Sequence, residues 1–551
     1  MMMHSWIRRW FARPVTRTIR RKPQRARPAL EALEGRLVPS TFSVTHTMDD
    51  GSVGSLRWAI GQANSTVGAD TIVFDRTVFR TPQTINLSGS QLEVSDTSGA
   101  LTIAGPPLGV TVNGGGSSRV FEVDANVIAS ISGLTITGGN AGASYGGGML
   151  NNGGTVTLVN CTVSGNQAFH GGGLANSGSG ALTLTDSTFS GNTSLNGGGG
   201  LWNSFNGSVT LTNCTISGNH WTGRGGGLEN YGVATLRRCT VSGNSAGASG
   251  FGAGVDNVGT AMLTNCTVSG NHASGVGGGV ENLFGYLTLT NCRIADNTAL
   301  YGAGLINQLG DTSLNNCTVT GNSAGDSGGG LGNRYGSIAL TNCRVSGNSS
   351  LGTGGGLENY SGGVQMNNCQ VSGNSASYGG GLDNRYGAMA LTNCTVNGNS
   401  ADIGGGLSNH YGVANLTGCT VTGNTANLGG GLFANGGSYG YAPTTLDNCI
   451  VTGNSAKKGG GVYAVNCTLT VQNSVINANQ ANGAVAQGGG IYANACTVDV
   501  ENSVVNGNQA NGSVLGQGGG IYCFDGTLDM VASVVNGNKA STSFDDIFNG
   551  P

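Results

Sequence analysis

Apolar and polar residues alternate with a period of two along most of the chain, in short runs separated by glycine and asparagine. Alternate residues of a β-strand point to opposite faces, so this pattern predicts strands with one buried face. In one copy the strands centre on Val280, on Leu287 to Leu289 and on Cys292 to Ile294. Three strands joined by sharp turns form one triangular coil.

The chain repeats this coil at a nearly constant spacing. The segment Leu-Thr-Asn-Cys-Thr-Val-Ser-Gly-Asn recurs every 25 to 27 residues, with its cysteine at Cys214, Cys239, Cys266, Cys292, Cys317, Cys343, Cys369, Cys394 and Cys419. A second segment, Gly-Gly-Gly-Leu-x-Asn, lies between the copies. One coil buries only five side chains, of which each large one is worth about 1.5 to 3 kcal/mol, and ordering its backbone costs more. Stability must therefore come from stacking, which predicts an all-β parallel β-helix of about 15 coils.

The ends of the solenoid differ from its body. Ser55 to Asn64 is the only good amphipathic helix candidate, and it lies where the coils begin, so we expect a short N-terminal capping helix. The expected divisions are a basic leader over 1–41, a cap with irregular coils over 42–130, the repetitive β-helix over 131–540 and a C-terminal cap or tail over 541–551.

Composition and charge narrow the function classes. Glycine contributes 103 residues and charged residues only 9%, which favours a turn-rich solenoid over a conventional mixed core. The leader carries ten Lys or Arg and two acids, and the remainder is acidic overall. A basic leader on an acidic body is typical of targeting, so nucleic-acid binding is not expected. The sequence contains no run of about 18 apolar residues, so it predicts no membrane-spanning helix.

One row of carboxylates is a candidate site. It is formed by the residue between the apolar residue and the asparagine of the glycine-rich segment: Glu229, Asp256, Glu281, Glu358 and Asp383. Alternation predicts that these side chains point outward, about 5 Å apart where the coils are adjacent. Three interpretations stay open: a solvated acidic stripe, a calcium site, or an acid and base pair acting on a glycosidic bond. No residue is assigned as catalytic.

Aromatic residues form a second candidate feature just beyond that row. The predicted column consists of Phe205, Tyr231, Phe284, Tyr335, Tyr360, Tyr386 and Tyr411, with Arg334 and Arg385 beside two of them. Exposed rings along a groove suit stacking on sugars, and stacked rings also stabilise neighbouring turns without any ligand. The candidate binding residues are therefore the five carboxylates together with Tyr231, Tyr335, Tyr360, Arg385, Tyr386 and Tyr411.

The 14 cysteines are predicted to be buried rather than bridged or metal-bound. Each repeat cysteine takes an inward position that serine fills in other copies, at Ser187, Ser474, Ser503 and Ser533. A small buried residue is therefore the requirement. No Cys-x-x-Cys spacing typical of a metal site occurs.

The repeats resemble right-handed parallel β-helix proteins of the pectin-lyase-like superfamily, and in particular the repeats of polymorphic outer membrane proteins. Leu30 to Ser40 is similar to a leader motif of large exported bacterial proteins, and Ser55 to Ile60 is similar to a Ser-Leu-Arg-x-Ala-Ile motif of surface proteins. The resemblance implies a right-handed coil and a secreted or cell-surface location. The calcium-binding aspartates and the arginine base of pectin-lyase-like enzymes have no match here.

These observations favour an exported or cell-surface rod with a structural, adhesive or glycan-binding role and no catalysis. The alternative is a polysaccharide lyase or glycoside hydrolase that acts on an acidic polysaccharide. The expected partner is a polysaccharide or a cell-surface component. No cofactor is expected, and calcium stays open as one interpretation of the carboxylate row.

Overall fold

The computed structural model describes residues 39–222, 224–247, 250–437 and 442–551. These residues form an all-β parallel solenoid of about 19 turns, seen as a 19-stranded first sheet. The predicted fifteen coils are those from Thr155–Val159 onward, and four less regular coils precede them. At about 4.8 Å per coil, the stack extends roughly 90 Å.

The predicted N-terminal helix is confirmed as the helix Leu56–Ala63. Ser55 is its N-cap, and the backbone N–H of Trp58 donates a hydrogen bond to the Ser55 hydroxyl at 3.1 Å. Leu56 and Ile60 are buried in the core of the first coils. The helix therefore covers apolar side chains at the start of the solenoid.

Fourteen of the fifteen repeats contain four strands where three were predicted. In one coil these are Val280–Leu283, Tyr286–Thr290, Arg293–Ala295 and Thr298–Tyr301. Three sheets enclose the central core, and the fourth strand lies outside it, before the next glycine run. Its alanines form a separate small core with alanines of the glycine runs: Ala246, Ala253, Ala273, Ala299, Ala303 and Ala324.

The strand pairings are parallel, and the register shifts only within Gln167–His170, Thr298–Tyr301 and Gln480–Gln487 among the described strands. The first sheet contains Ser40–Val44, Asp70–Phe74, Ala100–Ala104, Ile128–Ser132, Thr155–Val159, Ala181–Thr185, Ser208–Thr212, Val233–Arg237, Thr260–Thr264, Tyr286–Thr290, Asp311–Asn315, Ser337–Thr341, Gly363–Asn367, Ala388–Thr392, Val413–Thr417, Thr444–Asp447, Thr468–Gln472, Thr497–Glu501 and Thr527–Val531. The second contains Gln83–Asn86, Val110–Asn113, Leu134–Thr137, Thr162–Ser164, Thr188–Ser190, Thr215–Ser217, Thr240–Ser242, Thr267–Ser269, Arg293–Ala295, Thr318–Thr320, Arg344–Ser346, Gln370–Ser372, Thr395–Asn397, Thr420–Thr422, Ile450–Thr452, Val475–Asn477, Val504–Asn506 and Val534–Asn536.

The third and fourth sheets carry the site described below. The third contains Leu92–Val94, Phe121–Val123, Met149–Asn152, Leu174–Ser177, Leu201–Asn203, Leu228–Asn230, Val255–Asn257, Val280–Leu283, Leu305–Gln308, Leu331–Arg334, Leu357–Tyr360, Leu382–Arg385, Leu407–His410, Leu432–Asn435, Val462–Val465, Ile491–Asn494, Ile521–Phe524 and Ile547–Gly550. The fourth contains Gln167–His170, Thr193–Gly197, His220–Trp221, Ser245–Ala246, His272–Ala273, Thr298–Tyr301, Ser323–Ser327, Ser349–Ser350, Ser375–Tyr378 and Ser400–Ile403. A separate four-stranded continuation contains Ser455–Ala456, Gln480–Gln487, Gln509–Gln517 and Lys539–Ala540.

The predicted inward residues are buried, including the cysteine column. The Cys343 thiol donates to the Thr341 carbonyl at 3.3 Å, and the Cys343 N–H donates to the sulfur of Cys369 at 3.4 Å. Serine makes the same contact where it replaces cysteine, since the Cys449 N–H donates to the Ser474 hydroxyl at 2.9 Å. The prediction of a small buried residue is therefore confirmed.

Buried asparagines form hydrogen bonds from each coil to the next at the corner after the second sheet. The N–H and the side-chain amide of Asn348 both donate to Oδ1 of Asn374, at 2.9 and 3.0 Å, and the same amide donates to the Val319 carbonyl at 3.0 Å. The column runs from Asn166 to Asn538. It satisfies buried backbone groups that a tight corner would otherwise leave without partners.

We expect Asn348→Ala to lower the free energy of unfolding by about 3 kcal/mol, because it leaves several buried polar groups without partners. Chemical denaturation with urea measures this change. Asn415→Ala is the matched control, since Asn415 is exposed on the first sheet, and its effect should stay within about 0.5 kcal/mol. Equal losses in both variants would contradict the role given to the asparagine column.

The predicted leader lies outside the described residues except for its last three, of which Ser40 and Thr41 belong to the first strand. The predicted tail over 541–551 contains Ile547–Gly550, which adds a last strand to the third sheet. Over the described ranges, no helix has the length and apolar character needed to cross a membrane.

Candidate functional site

One column of residues runs along the outer face of the third sheet, and we call it the floor column. It is the position that follows the buried apolar residue of each glycine-rich segment, and register pairing links its members from coil to coil. Its members from the eighth coil onward are Glu229, Asp256, Glu281, Ile306, Gly332, Glu358, Asp383, Ser408, Phe433, Tyr463, Tyr492, Tyr522 and Phe548.

The interpretation of the carboxylates as a solvated acidic stripe is wrong. The five predicted carboxylates face away from the central core, yet each is at most 4% exposed: Glu229, Asp256, Glu281, Glu358 and Asp383. The glycine run folds back over them, and a Cβ built on Gly225 would lie only 2.7 Å from the Cβ of Glu229. Alternation gives the direction of a side chain, whereas the covering backbone comes from the path of the chain.

Glu229, Asp256 and Glu281 form a closed acidic cluster on three successive coils. Tyr231 donates its hydroxyl to Glu229 at 2.9 Å, and Gln308 donates its amide to Glu281 at 2.9 Å. Neither oxygen of Asp256 has a hydrogen-bond partner among the described residues. Burial raises the pKa of Asp256 to about 6, and burial followed by the charge of Asp256 raises the pKa of both glutamates.

Further along the floor column, a groove opens between two walls. The fourth-sheet wall is formed by the residues that directly precede the glycine runs of these coils: Tyr301, Ser327, Thr353 and Tyr378. The third-sheet wall is formed by Arg334, Tyr360, Arg385 and His410. The groove holds two adjoining depressions of about 310 and 380 Å³, which share Tyr360 and Arg385.

Glu358 lies on the groove floor among polar groups from both walls. Ser327 and Thr353 donate their hydroxyls to its two oxygens at 3.0 and 3.4 Å, and Nε of Arg334 lies 3.8 Å away. Burial raises the pKa of Glu358, and the charge of Arg334 opposes this. The carboxyl therefore borders a depression that solvent and a ligand can enter.

Asp383 lies one coil further and is paired differently. Nε of Arg385 donates to one carboxylate oxygen at 3.0 Å, while the other oxygen has no partner in the described part of the chain. Burial raises the pKa of Asp383 to about 7 in spite of the Arg385 charge. His410 nearby also keeps an unpartnered ring nitrogen, and burial lowers its pKa to about 4. Two buried polar groups beside this depression thus lack partners.

Tyrosine rings and guanidinium groups meet across the groove. The Arg334 guanidinium lies 4.2 Å from the ring centre of Tyr301, and that of Arg385 lies 5.1 Å from Tyr378. Tyr335 and Tyr386 form the rim, and each is 57% exposed. The groove therefore combines flat apolar surfaces with charged hydrogen-bond donors, which is the composition of many sugar-binding clefts.

The residues of the predicted aromatic column do not all occupy the same position of the repeat. Tyr335, Tyr386 and Tyr411 occupy the turn after the third-sheet strand, with φ of 60°, 57° and 58°, whereas Tyr360 is paired within the sheet. Ser361 takes the turn position in that coil, so Tyr360 falls one place earlier. The rings still touch, with centroids 5.5 Å apart for Tyr335 and Tyr360, and 5.1 Å for Tyr386 and Tyr411.

The other predicted aromatics lie away from the groove. Phe205 and Tyr231 pack together with ring centroids 4.8 Å apart near the closed acidic cluster. Phe284 occupies a turn with φ of 59° and is exposed. The structure therefore brings together Glu358, Asp383, Arg385, Tyr335, Tyr360, Tyr386 and Tyr411. The coils of Ile306 and Gly332 separate Glu358 and Asp383 from Glu229, Asp256, Glu281 and Tyr231.

Sequence reasoning missed the aromatic end of the floor column. Five rings stack there with centroids 4.5 to 5.5 Å apart and nearly parallel planes: Phe433, Tyr463, Tyr492, Tyr522 and Phe548. It also missed Tyr301 and Tyr378 on the fourth-sheet wall. Comparing positions relative to the glycine run would have identified the stacked rings and the two wall tyrosines. Tyr463, for example, occupies the same position in its repeat as Glu358 does in its own.

The calcium interpretation gains no support from the geometry. In the residues that the structure describes, no three Asp, Glu, His or Cys side chains come together in a way that could hold a metal ion. The carboxylates are instead spread along the column, one per coil. Calcium binds six to eight oxygens around one centre, which a single column of side chains does not provide.

Residues 146–276 match the family model described as a right handed beta helix region. No curated protein matches the chain. Among solved structures, pectate lyase Pel9A is 13% identical with a TM-score of 0.26, and the alignment covers 62% of this chain and 76% of the enzyme. The PL6 family alginate lyase AlyGC is 10% identical with a TM-score of 0.23, with 92% and 100% covered.

Proposed function

We propose that the protein is an exported or cell-surface rod that binds an extended polysaccharide lengthwise in the groove between Tyr301 and Tyr411, without cleaving it. The observation that carries the proposal is the open groove itself. It is lined by tyrosine rings and by two arginines, Arg334 and Arg385, whose Nε atoms lie 3.8 and 3.0 Å from the floor carboxyls of Glu358 and Asp383. The leader-like segment over 1–41 supports export.

The surface of the groove suits a hydroxyl-rich polymer. Rings on both walls provide faces for stacking, and Arg385 and His410 provide polar atoms between them. The groove follows the solenoid axis, so each coil repeats the contacts at about 4.8 Å. Contacts of this kind are individually weak, and affinity would grow with the length of the bound chain.

We expect Tyr378→Ala and Arg385→Gln to weaken polysaccharide binding by about tenfold or more, because each removes a groove contact worth about 1.4 kcal/mol or more. The measurement is titration calorimetry of the full-length protein against neutral and acidic polysaccharides, with reducing ends recorded in parallel. Matched controls are Tyr286→Ala and Arg344→Gln, which change exposed residues of the first and second sheets.

Controls that lose as much affinity as the groove variants would contradict the assignment of the groove. A wild-type protein that binds no polysaccharide would reject the binding proposal and leave a structural rod. New reducing ends would instead point to the second candidate function, polysaccharide cleavage.

The paired floor carboxyls favour that second candidate. Glu358 and Asp383 lie on adjacent coils, and burial raises the pKa of both, that of Asp383 to about 7. A carboxyl that keeps its proton near neutral pH can act as a general acid on a glycosidic oxygen. Under this proposal Glu358→Gln would abolish the release of reducing ends while leaving binding in place.

A further inference from the structure

Two buried cysteines outside the cysteine column approach each other at the corner between the third and first sheets. The sulfur atoms of Cys467 and Cys496 are 3.5 Å apart. Each cysteine directly precedes a strand of the first sheet, and these strands pair in register through Thr468 and Thr497. The two cysteines therefore occupy equivalent places on adjacent coils.

Cys467 differs from the thiols of the cysteine column described above, whereas Cys496 donates to the Asn494 carbonyl at 3.3 Å as they do. Thiols of the column donate to the carbonyl two residues earlier, as Cys449 does to Asp447 at 3.3 Å. Cys467 instead has a carbonyl only at 3.9 Å, from Ala434, and its nearest polar neighbour is the sulfur of Cys496. Its thiol is thus placed toward another thiol.

The pair lies in coils where the hydrogen bonds between asparagines at this corner have ended. Upstream, the asparagines of the glycine-rich segment bond from coil to coil at this corner, and Asn384 donates to Asn409 at 2.8 Å. The next residues in that register are Ala434, Ala464 and Ala493, which have no side-chain amide. The last coils therefore lack the bonds that join the corner elsewhere, and the cysteines appear at this position instead.

We propose that Cys467 and Cys496 are the site of a disulfide bond that joins two neighbouring coils covalently. Parallel backbones about 4.8 Å apart fall within the Cα separation of natural disulfides. The two thiols lose two electrons and two protons as the S–S bond forms. A low-molecular-weight disulfide accepts both and is reduced to two thiols.

The test uses the full-length chain, incubated natively and also refolded with oxidised glutathione, then denatured, alkylated and mapped by mass spectrometry. We expect one cross-linked peptide pair containing Cys467 and Cys496, two fewer alkylated thiols, and a melting temperature several degrees above that of the reduced protein. The Cys467→Ser variant should lose both the cross-link and the shift.

Cys369→Ser is the matched control, because serine replaces cysteine naturally in that column, and it should keep the cross-link. Alkylation of both Cys467 and Cys496 after either treatment would overturn the proposal. A cross-link from Cys496 to Cys523, or between thiols of the column, would overturn it as well.

Discussion

Gly330→Ala is expected to lower the free energy of unfolding by about 3 kcal/mol, a large loss for one methyl group. Gly330 is the third glycine of its run, and a Cβ there would lie 2.5 Å from the carbonyl oxygen of Gly356 and 3.0 Å from the side-chain nitrogen of Asn348. Both neighbours are held in ladders along the solenoid, so neither can move without breaking hydrogen bonds. Urea denaturation followed by circular dichroism measures the loss.

Gly363→Ala is the matched control for this prediction. A Cβ on Gly363 would meet no heavy atom within 4 Å, and the adjacent coils carry Ser337 and Ala388 in the same register. We expect a change of about 1 kcal/mol or less. A loss as large as that of Gly330→Ala would show that close contacts at the third glycine of the run do not set the cost.

The regular part of the fold could be predicted because its core consists of the inward-pointing residues of each strand. Alternation alone decides which residues of a strand point inward, and Val280, Leu287 and Ile294 are buried as expected. The helix cap at Ser55 is equally local, since it depends on residues three apart. Local rules repeated in every coil thus specify the central solenoid.

The cover over the floor column could not be predicted in the same way. Glu358 is buried by contacts from Ser327, which lies 31 residues away on a neighbouring coil. The short fourth strand that brings this residue into place has no alternating apolar pattern, and its packing depends on small alanines. Whether an outward side chain meets solvent therefore depends on the path of the backbone, which periodicity does not describe.

Side-chain size along the floor column explains where the groove ends on its C-terminal side. Gly332, Glu358, Asp383 and Ser408 leave space between the walls, whereas the stacked rings from Phe433 onward occupy that space. The size of the side chain at this one position of the repeat thus separates the open groove from the segment that the stacked rings fill. That division motivates a functional assignment for the open segment only.

Replacing the closed acidic cluster by amides, in the variant Glu229→Gln, Asp256→Asn, Glu281→Gln, is expected to stabilise the protein at pH 8. The three carboxyls are buried on successive coils, and burial raises the pKa of each. Ionisation in this place would set unsolvated negative charges about 5 Å apart. The amides remove that cost at every pH.

The sign of the pH dependence follows from the raised pKa values. The folded protein keeps the Asp256 proton up to about pH 6, while the unfolded chain loses it near 3.8. Stability is therefore fully present below about pH 4 and declines as the pH rises toward 6, by about 3 kcal/mol for Asp256 alone. The two glutamates extend the decline to higher pH.

Urea denaturation between pH 4 and pH 8, with hydrogen exchange to locate the effect, measures this decline. We expect hydrogen-exchange protection of Leu228–Asn230 and Val255–Asn257 to fall with pH in the wild type and to stay constant in the triple variant. The matched control is Asp311→Asn, Glu501→Gln, Asp529→Asn, which changes three exposed carboxyls of the first sheet and should follow the wild type. A triple variant that keeps the wild-type pH dependence would mean that the buried cluster holds no protons above those of the unfolded chain.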